Sequence, residues 1–178
     1  WSAIVLLVRR WAAQPLSPGT TAEQVAAAEQ RRRWSGVALA VYGLTMTFAA
    51  IDWLMSLEPQ WFSSIFGVLV AAGQVLTALA FAIVVLVGLL GQPAWAAVAP
   101  PGRINDLGNL LLAAVLFWAY LAFAQYLIIW SGNIPEEATW YLHRLRGGWS
   151  WVALFVLLLH FAVPFAVLLS SRVNRQGR

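Results

Sequence analysis

The sequence predicts an all-α polytopic transmembrane helix bundle, with four full spans and a partial span at its N-terminus. Three observations carry that prediction. Hydrophobic residues make up 61% of the chain and charged residues 10%, which is more apolar surface than a soluble core of 178 residues can hide. Four nearly uncharged runs, roughly 34–57, 61–90, 107–131 and 149–171, each supply the ~20 residues needed to cross a hydrocarbon core about 30 Å thick. Proline, glycine and arginine clusters fall between the runs, where an apolar helix has to stop.

Taken in order, Trp1–Val8 is apolar but only about half a span, and Arg9 and Arg10 follow it. A signal peptide would carry its positive charge before the apolar run. Residues 1–10 therefore read as the end of a truncated transmembrane helix, and the sequence is expected to be a fragment. Residues 11–33 read as a cytoplasmic loop with a short Ala/Glu/Gln helix running into Arg31, Arg32 and Arg33. Residues 34–172 form the four-helix transmembrane region, and 173–178 a cytoplasmic tail or the start of a further loop. Pro59 pushes the residue before it out of helical geometry, so Glu58 is expected to turn a very tight hairpin between spans one and two. Gly91, Pro93, Pro100, Pro101 and Gly102 break the chain after span two, and Ser131–Pro135 ends span three. Trp149 and Trp151 open span four as aromatic-belt residues, the role expected for most of the 11 tryptophans.

Arginine is the only basic residue besides the two histidines, and its distribution sets the orientation. Arg9, Arg10, Arg31, Arg32, Arg33, Arg103, Arg172, Arg175 and Arg178 fall on one side, Arg144 and Arg146 on the other. By the positive-inside rule, 11–33, 91–106 and the C-terminus of this multi-pass protein face the cytoplasm. The Glu58 turn and the 135–148 loop then face the opposite compartment. In that loop Glu136, Glu137, Arg144 and Arg146 read as solvated charges with surface ion pairs of little worth. A nucleic-acid partner is not indicated, because the arginines lie between apolar segments rather than on one basic patch. The chain has no cysteine, which excludes disulfides, thiolate metal sites, iron–sulfur ligation and thioether-linked haem within it.

Polar residues inside the spans are the candidate functional groups, since each is costly in lipid unless paired, hydrated or neutralised. They are Asp52, Gln74, Gln125 and His160, with Glu58 at the turn and Asn105, Asp106 and Asn109 at the other end. Counted by rise per residue, Gln74 and His160 fall near the midplane and Asp52 and Gln125 near one face. Ala38, Tyr42, Thr45, Ala49, Asp52 and Ser56 repeat at steps of three and four, a small and polar stripe expected to point Asp52 into the bundle. Ser64, Gly67, Ala71, Gln74 and Ala78 form a matching stripe. Asn105 is expected to cap span three; Asp106 is left undecided between capping and proton uptake. Pro164 denies the His160 carbonyl its helical donor, so a kink is expected there, and His160 reads equally as a proton carrier or as a structural hydrogen-bonding group. The site candidates are thus Asp52, Glu58, Gln74, His160, Gln125, Asp106 and Asn109, as a proton path, with no metal site.

Three stretches add a resemblance: FAAIDWLMSLEPQWFSSIFG at 48–67, NDLGN at 105–109 and WAYLAFAQYLIIWSGNIPEE at 118–137. Together they resemble the F-type subunits of alternative complex III, in the NrfD-like (polysulphide reductase) family of membrane proteins. The likeness runs through most of 34–172. It implies a membrane subunit of a bacterial quinol:electron-acceptor (cytochrome c) oxidoreductase, longer than this sequence and without a redox cofactor of its own. Its partners would be the lipid bilayer, an NrfD-like sister subunit, and subunits bearing iron–sulfur clusters and haem c. For the F-type chain the resemblance leaves open whether it binds quinone or chiefly conducts protons. An autonomous proton or solute transporter and a purely structural anchor for redox subunits stand as the other readings of the same residues.

Overall fold

The computed structural model describes residues 2–12, 21–90 and 101–176, and among these it is helical with no strand. Helix α1 is Ser2–Ala12, α2 Thr21–Trp53, α3 Phe66–Leu89, α4 Pro101–Gly132, α5 Pro135–Leu145, α6 Trp149–Val156 and α7 Val163–Gln176. A 3-10 turn at Met55–Leu57 follows α2, and a π-helical turn at Leu157–Ala162 joins α6 to α7. Four stretches are long and apolar enough to cross a membrane: Val25–Leu57, Phe66–Leu89, Gly102–Gly132 and Trp149–Ser170. The expected break at 91–100, much of the 11–20 segment and the last two residues lie outside the described residues.

Helix α2 does not begin at the membrane edge. The Ala/Glu/Gln segment runs straight into span one, because its residues are strong helix formers and nothing between Thr21 and Trp53 breaks the ladder. The Glu29–Arg33 pair, 3.2 Å apart, is exposed and adds little. The very tight Glu58 hairpin is also not what forms. Residues 54–65 make a folded connection instead, with the Glu58 N–H on the Met55 carbonyl (3.0 Å) and the Trp61 N–H on the Glu58 carbonyl (2.9 Å). Residues 61–65, expected inside span two, belong to it. The reason is burial: Met55 and Trp61 turn back between the helix ends, leaving Trp61 only 3% exposed. Trp61 is thus core and not a belt residue.

Helix α4 begins at Pro101, four residues before Asn105, so Asn105 and Asp106 lie a turn inside it and the capping role is ruled out. Proline at a helix start is preorganised and lacks only an N–H that would be orphaned anyway. The other end is closed by Asn133 at φ +47°, whose N–H bonds the Ile129 carbonyl at 3.0 Å in a left-handed cap. The 135–148 segment is not a plain loop. Pro135 starts α5, Glu136 and Glu137 occupy its first turn and His143 and Arg144 its last, each with the sign the helix dipole favours. At Pro164 the broken ladder is taken up by the π turn, in which the Val163 N–H reaches back to the Leu158 carbonyl.

The helices pack in sequence order. Helix α3 lies between α2 and α4, and the fourth span rests on α4. Helices α2 and α3 approach closely at Gly67, where an added Cβ would stand 2.9 Å from Thr47 Cγ2 and 3.0 Å from its Cα. A buried cluster lies at the end of the bundle that holds the 54–65 connection: Ala50, Met55, Trp61, Phe66 and Ile129, with Leu69, Val70, Trp140 and Tyr141 against them. Trp61 stacks on Trp140 with centroids 4.0 Å apart and meets Phe66 edge-on at 5.1 Å. Helix α5 is held down by this aromatic cluster.

Candidate functional site

Because α3 and the fourth span each pack on α4, an open groove of about 770 Å³ runs between them. Its polar residues come from three helices. Gln74 stands on α3, Trp118 on α4 and His160 on the π turn, with Thr77 beside them and Leu69, Val70, Phe81 and Val156 supplying the apolar wall. The His160 ring meets the Trp118 indole edge to face, centroids 4.5 Å apart at 68°. Gly73 lets the indole lie close to α3, since a Cβ there would sit 3.3 Å from Trp118 Nε1. Gln74 is fixed by Tyr42, whose hydroxyl donates to its Oε1 at 2.9 Å and lies 3.5 Å from the Ala71 carbonyl. That bond leaves the Gln74 amide N–H groups without a described acceptor. His160 is eleven residues from the start and ten from the end of the 149–170 span, hence at its middle. The two midplane residues named from sequence therefore share one site.

The other candidates do not join it. Gln125 is 4% exposed and accepts a 2.6 Å hydrogen bond from the Ser63 hydroxyl, tying α4 to the 54–65 connection. Glu58 lies 3.3 Å from His143 Nδ1 and 4.0 Å from Arg144 Nη1. A pocket of about 190 Å³ opens there, lined by Glu58, Gln60, Trp61, Glu136, Thr139 and His143. Arg144 also lies flat on Trp140, its guanidinium carbon 3.1 Å from the ring centroid. Burial pulls this guanidinium below its ordinary value, while Glu58 and Tyr141 pull it back up. Arg144 is thus a packed contact, not a solvated loop charge.

Asp52 is exposed, contrary to the expectation that its stripe points it inward. Tyr42, Thr45 and Ala49 are half-buried as expected, but the fully covered residues of α2 are Met46 and Ala50. At 100° per residue Asp52 lies roughly 160° around the helix from Ala50. Asp106 is exposed and Asn109 half-buried, and neither side chain hydrogen-bonds a described residue. The polar residues thus form separate stations, and the described residues do not assemble them into one continuous series.

Sequence reading passed over Trp118 and His143. Trp118 sits in an apolar run with no local mark, and only the small Gly73 next to Gln74 hints that something bulky lies against α3. From the sequence His143 reads only as a residue of the 135–148 loop, but its place in the last turn of an amphipathic helix brings it back to Glu58.

Fold and site define a multi-pass integral membrane protein: an all-α bundle whose midplane groove is lined by an imidazole, an amide and an indole. No protein-family model matches the chain, and neither does any curated protein.

Proposed function

We propose that this chain is a membrane subunit of a bacterial quinol:electron-acceptor oxidoreductase, contributing a proton-carrying path and contacts to the quinone ring. One observation carries the reading: His160, Gln74 and Trp118 converge on a single groove at mid-membrane depth. Such a lining suits a quinol headgroup, with an imidazole to take a hydroxyl proton, amide N–H groups for a carbonyl oxygen, and indole and apolar walls for the ring. The isoprenoid tail would stay in the lipid beside the groove. The resemblance of 48–67, 105–109 and 118–137 to F-type subunits of alternative complex III supports the same class. On that reading the electrons leave to haem c and iron–sulfur clusters of partner subunits, and this chain handles protons. Glu58 with His143, at the far end from Arg31–Arg33, provides an exchange point with water, and the arginine asymmetry supports placing it opposite the cytoplasm.

The test is His160→Phe in the full-length protein within its complex. The variant keeps ring bulk against Trp118 and removes the titratable nitrogen. Assembly is expected to be unchanged and quinol-dependent turnover to fall by about 10²-fold, the usual size of a lost general base. Wild-type turnover with an unchanged pH profile would refute the reading.

A further inference from the structure

On the α3 wall of the midplane groove only Gln74 and Thr77 carry polar side chains. The Thr77 hydroxyl gives its proton to the Gly73 carbonyl at 2.9 Å, so toward the groove it has lone pairs alone. Whether that wall can donate a hydrogen bond therefore rests on which end of the Gln74 carboxamide faces the groove. An amide is planar, with its oxygen and its NH2 pointing apart, so holding one end fixes the other. Tyr42, which stands on α2 and does not line the groove, holds the oxygen: its hydroxyl donates to Gln74 Oε1 at 2.9 Å. Turned the other way, Gln74 would present its carbonyl, and α3 would offer the groove acceptors only.

We propose that Tyr42 makes the α3 wall a subsite for an acceptor oxygen, the ring carbonyl of an oxidised quinone in preference to the hydroxyl of its quinol. The inference rests on the quinone reading above and adds to it which redox form the groove holds more tightly and what sets the preference. Two amide N–H groups suit a carbonyl oxygen, which has two lone pairs and no proton to place. A quinol hydroxyl at the same spot has to aim its own proton elsewhere, and the amide oxygen that could take it is already engaged by the phenol. The same donors face the oxygen that gains negative charge as a quinol gives up its proton. Tyr42 acts through Gln74 alone and touches no ligand itself.

The test reads binding at this groove alone. A benzoquinone with a photoreactive diazirine in a short alkyl tail is photolysed on the full-length protein in native membranes, and labelled peptides covering 69–81 and Trp118 are quantified by mass spectrometry. Competition by the tail-matched quinone, and by a tail-matched resorcinol that carries two hydroxyls and cannot be oxidised to a quinone, gives the relative affinity for each kind of oxygen. Tyr42→Phe frees the amide to turn. Quinone affinity should fall about fivefold, the size of one lost hydrogen bond, while the diphenol, which the freed carbonyl can now serve, should bind at least as tightly as before. Gln74→Met, which removes the donors and keeps the length, should weaken the quinone alike and leave Tyr42→Phe without further effect in the same chain. Parallel weakening of both competitors by Tyr42→Phe, an unmoved ratio, or a full Tyr42→Phe effect in the Gln74→Met background would overturn the inference and leave the quinone reading standing. Wild-type protein that is not labelled at these peptides would overturn the quinone reading, and the inference with it.

Discussion

The start and the middle of α3 contrast sharply. At its start, Phe66 and Gly67 sit in a closed aromatic core with Trp61, Trp140 and Met55, and the nearby polar side chains Ser63 and Gln125 satisfy each other. Half-way along, Gln74 and Thr77 border an open groove, and the imidazole opposite them has an aromatic neighbour but no described hydrogen-bond partner. The difference separates groups that hold the fold from groups left for something else. Satisfied, buried pairs belong to the architecture; half-open polar residues at membrane depth belong to function.

The contrast breaks first at Trp61. Its truncation to Ala removes a 3%-exposed side chain from the centre of the core and should cost about 3–5 kcal/mol in detergent unfolding. Trp61→Phe, which keeps an aromatic ring against Trp140, should cost much less. His160→Phe in the groove should leave the unfolding transition nearly in place. Equal losses at both sites would erase the distinction.

Two glycines on one helix sharpen it. Gly67→Ala forces a methyl against Thr47 backbone at 3.0 Å, and should destabilise by ~1–3 kcal/mol. Gly73→Ala meets only the Trp118 indole edge, at 3.3 Å beside open space, and should cost less than ~1 kcal/mol because that side chain can give. Thermal unfolding of the two variants decides.

A double-mutant cycle on Ser63→Ala and Gln125→Leu should return a smaller coupling, roughly 0.6 to 1.7 kcal/mol, the range for hydrogen bonds between membrane helices. No coupling would mean that the 2.6 Å contact does not tie the connection to α4.

The smallest effect is a titration. Burial raises the Tyr141 phenol above its ordinary 10.0, the neighbouring Tyr126 adds to this, and Arg144 opposes it. A raised value in the fold means that the neutral phenol is favoured there. The associated stability is present below the unfolded value and disappears as pH climbs through the folded one. Phenolate absorbance should show a tyrosine ionising above 10.0 that Tyr141→Phe removes; a set of tyrosines all titrating at or below that value would count against the buried α5 contact.

Much of this was legible beforehand, for identifiable reasons. The spans were, because long apolar runs announce themselves residue by residue. Pro164 and the polar midplane residues were legible too, the first as a π turn where a kink was expected. The 54–65 connection was not, because its shape depends on Met55 and Trp61 packing with Phe66 and Ile129 and on Trp61 finding Trp140, 79 positions away. The stripe holding Asp52 misled for a related reason. A polar stripe tells which residues share a helix face, but which of them face α3 depends on how the two helices pack, as where Gly67 meets Thr47.

Sequence alone determined that this is a multi-pass helical membrane protein, where its spans run and which polar residues lie at mid-depth, since hydropathy and rise per residue are local and additive. Only the tertiary structure decided how each helix is rotated about its axis. That rotation follows from packing small residues against large ones between distant segments, and it is what gathers Gln74, Trp118 and His160 into one groove, pairs Gln125 with Ser63, and turns Asp52 outward.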